Sequence, residues 1–97
     1  MKRHFSSREL FVLRNHIPID TLIEKHLRVP SKFSDGYFRF LCPYCHQFQT
    51  ATDPKTNLAR CFRCQHNFNT IDMVMICKGA RFVECVEYLQ SISNHSE

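Results

Sequence analysis

The spacing of apolar residues changes character twice along the chain. In residues 6–27 apolar positions cluster at helical intervals, first Leu10, Phe11, Val12 and Leu13, then Leu22, Ile23 and Leu27 with His26. "SSRE" at residues 6–9 has the form of a capping box, in which Ser6 accepts from the backbone at Glu9 and Glu9 reaches back, so a short helix is predicted to begin there and to end before Pro18. Asp20 is the expected cap of a second helix that stops before Pro30.

From about residue 34 the period becomes two. Ser34, Asp35 and Gly36 predict a turn, followed by the aromatic-rich strand "YFRFL" at residues 37–41. Alternation there puts Tyr37, Arg39 and Leu41 on one face and Phe38 and Phe40 on the other, with Arg39 expected outside. "TATDPKTNLARCF" then reads as strand, turn, strand, with residues 53–57 forming the reversal. Helical spacing returns after Cys64. Asn69 is a candidate N-cap for a helix carrying Ile71, Val74 and Met75, and Gly79 suits its C-terminal left-handed position. A last helix, from about Phe82 to Ile92, is predicted to bury Phe82, Val86 and Leu89. The pattern predicts one α+β domain: a helical N-terminal prop (1–27), a small antiparallel sheet of three to four strands (28–68) and C-terminal helices (69–97).

Composition supports a single core. The chain has 97 residues, 43% of them hydrophobic, with nine Phe and no Trp. A globule of this size buries only a little over about 60% of its unfolded surface, so a staple is expected to assist. The first residues interrupt their apolar positions with charges, unlike a signal peptide, and no apolar run is long enough for a membrane span, so a cytoplasmic location is expected. The net charge of +4 is concentrated in residues 28–63, where six Lys or Arg face two acids. Taken alone, that excess suits a solvated surface as well as it suits a nucleic-acid partner.

The cysteines change the picture. Cys42 and Cys45 in "CPYC" and Cys61 and Cys64 in "CFRC" form two CxxC pairs, far enough apart for a hairpin to go out and return. Each CxxC turn presents two thiolates on one side of an ion, and two such turns complete a tetrahedral shell. One Zn²⁺ is predicted, with iron as the chemical rival because four thiolates suit it too. With four protein ligands and no place kept for water, such a site is structural. His46, beside Cys45, is the competing ligand, read as solvent-facing or adjacent to the ligands. Cys77 and Cys85 are expected to be small buried apolar residues of the C-terminal helices.

With these residues in place, "FRFLCPYC", "CFRCQHNFNTIDMVM" and "GARFVECVEYL" together resemble the zinc-binding domain of bacterial and phage DnaG-type DNA primases, the CHC2-type zinc finger, over about residues 17–92. Cys42, Pro43 and Tyr44 correspond to that family's first metal turn, Cys61, Phe62 and Cys64 to its second, and Asn69, Ile71, Met73, Val74 and Met75 to the helix that follows. Cys45 stands where the family has histidine, which makes the site four thiolates instead of three. Gln65 and Phe68 replace glycines, which puts the backbone approach to the helix in question. The family's enzymes also carry a magnesium-binding catalytic domain, and this chain, which has none, is expected not to be an enzyme by itself.

The resemblance implies recognition of single-stranded DNA template. The local chemistry suits this, since cations can follow phosphates and aromatic faces can stack bases. Arg39, Lys55, Arg60, Arg63, Lys32, Tyr37 and Phe48 are the candidate contacts, with Arg28 near the entrance of the sheet. Phe38, Phe40 and Phe62 are expected to pack inside, whereas Tyr37 and Phe48 are the exceptions expected outside. The function expected is a zinc-stabilised accessory subunit engaging single-stranded DNA for a primase or DNA polymerase catalytic chain carried separately, in plasmid, phage or other mobile-element replication. The alternative is a protein–protein adaptor docking through Phe5, Phe11, Val12, Tyr88 and Ile92, with little DNA affinity.

Overall fold

Local signals fix most of the helix ends. A computed structural model of the chain describes residues 5–95. Helix α1 (Ser7–His16) starts at the Ser6 capping box, with Glu9 N–H donating to Ser6 Oγ (3.0 Å) and Ser6 N–H to Glu9 Oε1 (2.8 Å). Helix α3 (Thr70–Lys78) has an equivalent box built from Asn69 and Asp72, and it ends at Gly79 in the left-handed conformation (φ 61°) that glycine adopts without steric cost. Helix α4 spans Phe82–His95.

Asp20 does not cap the second helix. Helix α2 (Ile19–Thr21) begins after Pro18 and runs into a π-helical turn, Leu22–His26, closed by Leu27 N–H to Leu22 O (2.8 Å) and by Arg28 at φ 54°. Asp20 accepts only from its neighbour Thr21. The cap comes from thirty-eight residues away: Asn57 Oδ1 accepts the N–H of Ile19 (2.8 Å), while Asn57 Nδ2 donates to the carbonyls of Arg14 (2.6 Å) and Ile17 (2.8 Å). One buried amide therefore serves the end of α1 and the start of α2 together, and a cap held by the fold displaces a merely local one.

The α+β class with helices at both ends holds, and the strands are shared between two small sheets. The first is a hairpin of β1 (Ser31–Ser34) and β2 (Tyr37–Phe40), joined by a two-residue turn in which Asp35 (φ 56°) and Gly36 (φ 81°) both have positive φ. The second is a meander of β3 (Thr50–Asp53), β4 (Leu58–Cys61) and β5 (His66–Phe68). Thr50 joins the two. Its buried hydroxyl accepts from Phe40 N–H (2.8 Å) and donates to Phe40 O (2.6 Å), replacing a ladder rung between β2 and β3 with one side chain.

A single core runs through these layers. Leu13, Ile17, Ile19, Leu22 and Ile23 come from the N-terminal prop, Phe38, Phe40, Ala59 and Phe68 from the sheets, and Ile71, Met73, Val74, Cys85, Val86 and Leu89 from α3 and α4. Each large side chain removed from water in this way contributes about 1.5–3 kcal/mol. Phe40 and Phe68 meet edge to face at 6.4 Å, and the Thr70 hydroxyl donates to Leu13 O (3.0 Å), tying α3 to α1. Two expectations for the C-terminal helices fail. Phe82, in the first turn of α4, is 40% exposed and leans on Phe5, and Cys77 lies on the solvent side of α3, whereas Cys85 is buried. Both stand in end turns of their helices: Phe82 opens α4 in line with Val86 and Leu89, and Cys77 is the penultimate residue of α3.

Candidate metal centre and the surface around it

Each pair of cysteines forms the same local structure, dictated by where its strand ends. β2 leads through Leu41 into Cys42, and β4 ends on Cys61. In each turn the first cysteine is fully buried and the second half-buried. A backbone N–H approaches the first sulfur, Tyr44 N to Cys42 Sγ at 3.4 Å and Cys64 N to Cys61 Sγ at 3.4 Å. The residue after the second cysteine takes positive φ, His46 at 58° and Gln65 at 61°, and its N–H returns to the first cysteine's carbonyl at 2.9 and 2.7 Å. Gln65 thus adopts the backbone shape a glycine would supply, at a cost of about 1–2 kcal/mol. His46 is exposed and stands outside the sulfur cluster.

The four Sγ atoms lie within 4.8 Å of one another. Across the two turns, Cys42 Sγ to Cys64 Sγ is 3.9 Å and Cys45 Sγ to Cys61 Sγ is 3.7 Å. A tetrahedron with metal–sulfur bonds of ~2.3 Å has edges of ~3.8 Å, so these distances suit one shared ion. They exclude disulfides, which need ~2.05 Å, and all four thiols are free. As thiols, Cys42 and Cys64 resist ionisation. The Cys45 side chain, with burial, pushes Cys64 up to about 12, and burial raises Cys42. At Cys61 burial is outweighed by the N–H of Cys64 and by the neighbouring thiols, which lower it. A divalent cation at the centre reverses this balance by stabilising every thiolate. Tyr44, His66 and Phe68 form a cluster of rings beside the site, with Tyr44 and His66 centroids 4.9 Å apart.

The metal site braces a surface that gathers most of the sequence-predicted contact residues. Lys32, Arg39 and Phe48 line one concavity and Tyr37, Lys55 and Arg60 a second; Phe62 lines both and so stands on the ridge between them. Arg63 is exposed and lines neither. Cations sit over rings on this face: Lys32 Nζ is 4.8 Å from the Phe48 centroid, Arg39 Cζ 5.4 Å from Tyr37 and Arg60 Cζ 5.8 Å from Phe62. Arg39 is less free than its place on the outer face suggests. Its Nη1 donates to Thr50 O (2.9 Å) and its Nη2 lies 3.9 Å from Asp35, so the guanidinium also stitches the two sheets together.

Phe62, expected inside, is 55% exposed, and Phe48 is half-buried. The reason for Phe62 is the metal. Ala59 and Cys61 point into the core, and alternation sends Leu58, Arg60 and Phe62 the other way. Once Cys61 is read as a ligand, that period carries the signal for Phe62. Phe33, at 77% exposure, is a second outward ring that the sequence pattern did not single out.

Among the described residues no helix is long and apolar enough to cross a membrane. The family model of the CHC2 zinc finger, the zinc ribbon of DnaG type, matches residues 5–97. A search of curated proteins found no match.

Proposed function

The chain belongs to the CHC2 zinc-finger family, and from that premise we propose that it is a zinc-stabilised accessory subunit that engages single-stranded DNA for a primase or DNA polymerase whose catalytic chain is separate. Membership in a zinc-ribbon family of DnaG type, with its four-cysteine site, supports a role in nucleic-acid binding or replication. The observation that carries the finer reading is the face beside the metal, where two exposed rings, Tyr37 and Phe62, and half-buried Phe48 each lie under a cation. A duplex offers its stacked bases only edge-on, whereas an unpaired strand offers base faces to rings and phosphates to cations at the same time. The metal holds that face rigid, and in this reading the chain's part is to grip template rather than to carry out chemistry. A plasmid, phage or other mobile element is a setting that suits such a division of labour.

The test is binding of a fluorescent oligothymidylate by the zinc-loaded chain across a salt series. The logarithm of affinity should fall linearly with the logarithm of salt, with a slope near −0.7 for each phosphate neutralised, and an equal-length duplex should bind more weakly. No binding at low salt would refute the proposal.

One observation favours an adaptor role beside this one. Phe11 and Val12 stand on the outer side of α1, 60% and 46% exposed, while Phe5, Tyr88 and Ile92 pack against the core, so the proposed docking residues reduce to that pair.

A further inference from the structure

The two concavities that meet at Phe62 differ in charge, and the difference selects one of them. The larger is lined by Asp20 and Asp53 as well as by Lys55 and Arg60, so acids oppose its cations. The smaller, about 590 Å³, is lined by no acid; Lys32 supplies its free charge, Arg39 being held by Thr50 O and Asp35, while Phe48 and Phe62 supply ring faces and Gln47 and Gln49 supply amides. It is an open depression on the surface, not an enclosed cavity. Among the described residues neither glutamine side chain has a hydrogen-bond partner, so both amides are open to a base edge. Phe62 is held in place from behind, since its N–H donates to Gln49 O (2.8 Å) and Cys61 fixes the residue before it to the metal site. The Arg60 guanidinium over the Phe62 ring is anchored in turn by Asn67 (3.0 Å).

We infer that this acid-free concavity is a subsite for one unpaired nucleotide, with Phe62 as the ring on which the base stacks, Lys32 beside its phosphate, and Gln47 and Gln49 facing the base edge. The inference rests on the single-stranded-DNA reading above and gives it a location. A rigid, exposed ring between two depressions offers a face to a base at low entropic cost, because the backbone carrying it is fixed by a strand on one side and a metal turn on the other. Phosphates are steered toward Lys32, which no acid opposes, so the strand backbone lies along it and away from Asp20 and Asp53.

The experiment uses the full zinc-loaded chain and three probes: an oligothymidylate, a fully abasic oligonucleotide of the same length, and an oligouridylate. Phe62→Ala should weaken oligothymidylate binding by about 5- to 150-fold, the range of one base–aromatic stack, and should leave the weak binding of the abasic strand unchanged. Phe62→Tyr should bind like the parent. The chain has no Trp, so Phe62→Trp places a single tryptophan, excited apart from the three tyrosines, at the subsite. Its emission should be quenched by oligothymidylate and not by the abasic strand, which tests the stack even where Phe62→Ala fails to retain zinc. Oligothymidylate binding by Phe62→Ala at the parent's affinity, or binding by Phe62→Trp without quenching, would overturn the subsite while leaving the single-stranded-DNA reading intact. Failure of the parent chain to bind any of the three strands would instead defeat that reading. Tighter binding of oligouridylate than of oligothymidylate would overturn DNA as the occupant.

Discussion

Replacing Asn57 by Ala should be among the most damaging single changes outside the metal site. The side chain is buried and carries three hydrogen bonds, accepting from Ile19 N–H and donating to the carbonyls of Arg14 and Ile17. Ile17 and Ile19 are themselves buried, so truncation leaves at least one donor and one acceptor without a partner and without ready access to water. Each such group costs about 1–3 kcal/mol. Alanine at φ 57° adds about 1 kcal/mol of backbone strain. The expected loss is about 3–7 kcal/mol, a large share of the total stability of a small domain. For a chain of this size each kcal/mol moves Tm by about 4–8 °C, so the zinc-loaded variant should melt at least about 12 °C below the parent. Circular dichroism melts and urea titrations, with zinc content checked before each, provide the assay. Asn57→Gly should recover about 1 kcal/mol, because glycine accepts the positive φ. Asn57→Asp should do no better than Ala, since a carboxylate keeps the bond from Ile19 but turns an acceptor toward two carbonyls. A zinc-replete Asn57→Ala within about 1 kcal/mol of the parent would refute the assignment of this amide as the joint between the N-terminal prop and the β3–β4 turn.

Three further outcomes follow from the same contacts. Thr50→Val keeps the shape of the side chain but strips the hydroxyl that pairs both polar groups of Phe40, and should cost about 2–5 kcal/mol in urea titration; a loss under about 1 kcal/mol would mean the sheets are joined elsewhere. The Cys42 thiol is raised and Cys64 lies at about 12, so both hold protons at neutral pH in the metal-free chain, whereas bound thiolates hold none. Zinc uptake should therefore release at least two protons, and its apparent affinity, with the stability it confers, should be present at higher pH and fall about 100-fold for each unit the pH drops; competition with a chelator measures this, and a pH-independent affinity would contradict it. Cys45→His, which converts the site to three thiolates and an imidazole, should retain one zinc per chain by elemental analysis, and a variant that cannot hold zinc would show that the site demands four thiolates.

What could be read from the sequence was what is local. The Ser6 capping box, Asn69 as an N-cap, Gly79 as a helix end and the paired CxxC turns each depend on residues a few positions apart, and each appears as expected. Features made by distant partners were not visible. β1, with its sequence "SKFS", has little strand character, and it is a strand because β2 folds back on it through the Asp35–Gly36 turn; that dipeptide is a hairpin signal pointing in both directions. β5 is three residues long and exists by pairing with β4. The division into two sheets hangs on the Thr50 hydroxyl, and the start of α2 on Asn57, whose partners lie far away in sequence. Phe62 was misplaced because apolar character argued for the core, while the metal, by fixing which way Cys61 points, decided its face.

The central claim is that one metal ion, gripped by four sulfurs, makes a rigid face out of sheets too small to stand alone. Elemental analysis combined with circular dichroism during chelation tests it most directly. The account predicts one zinc per purified, reduced chain, and loss of the sheet signal and of cooperative melting as a chelator removes it, because binding at such a site supplies about 10–16 kcal/mol to folding. A reduced chain that contains no stoichiometric metal, or that keeps its spectrum and its melting transition after the metal is gone, would contradict it.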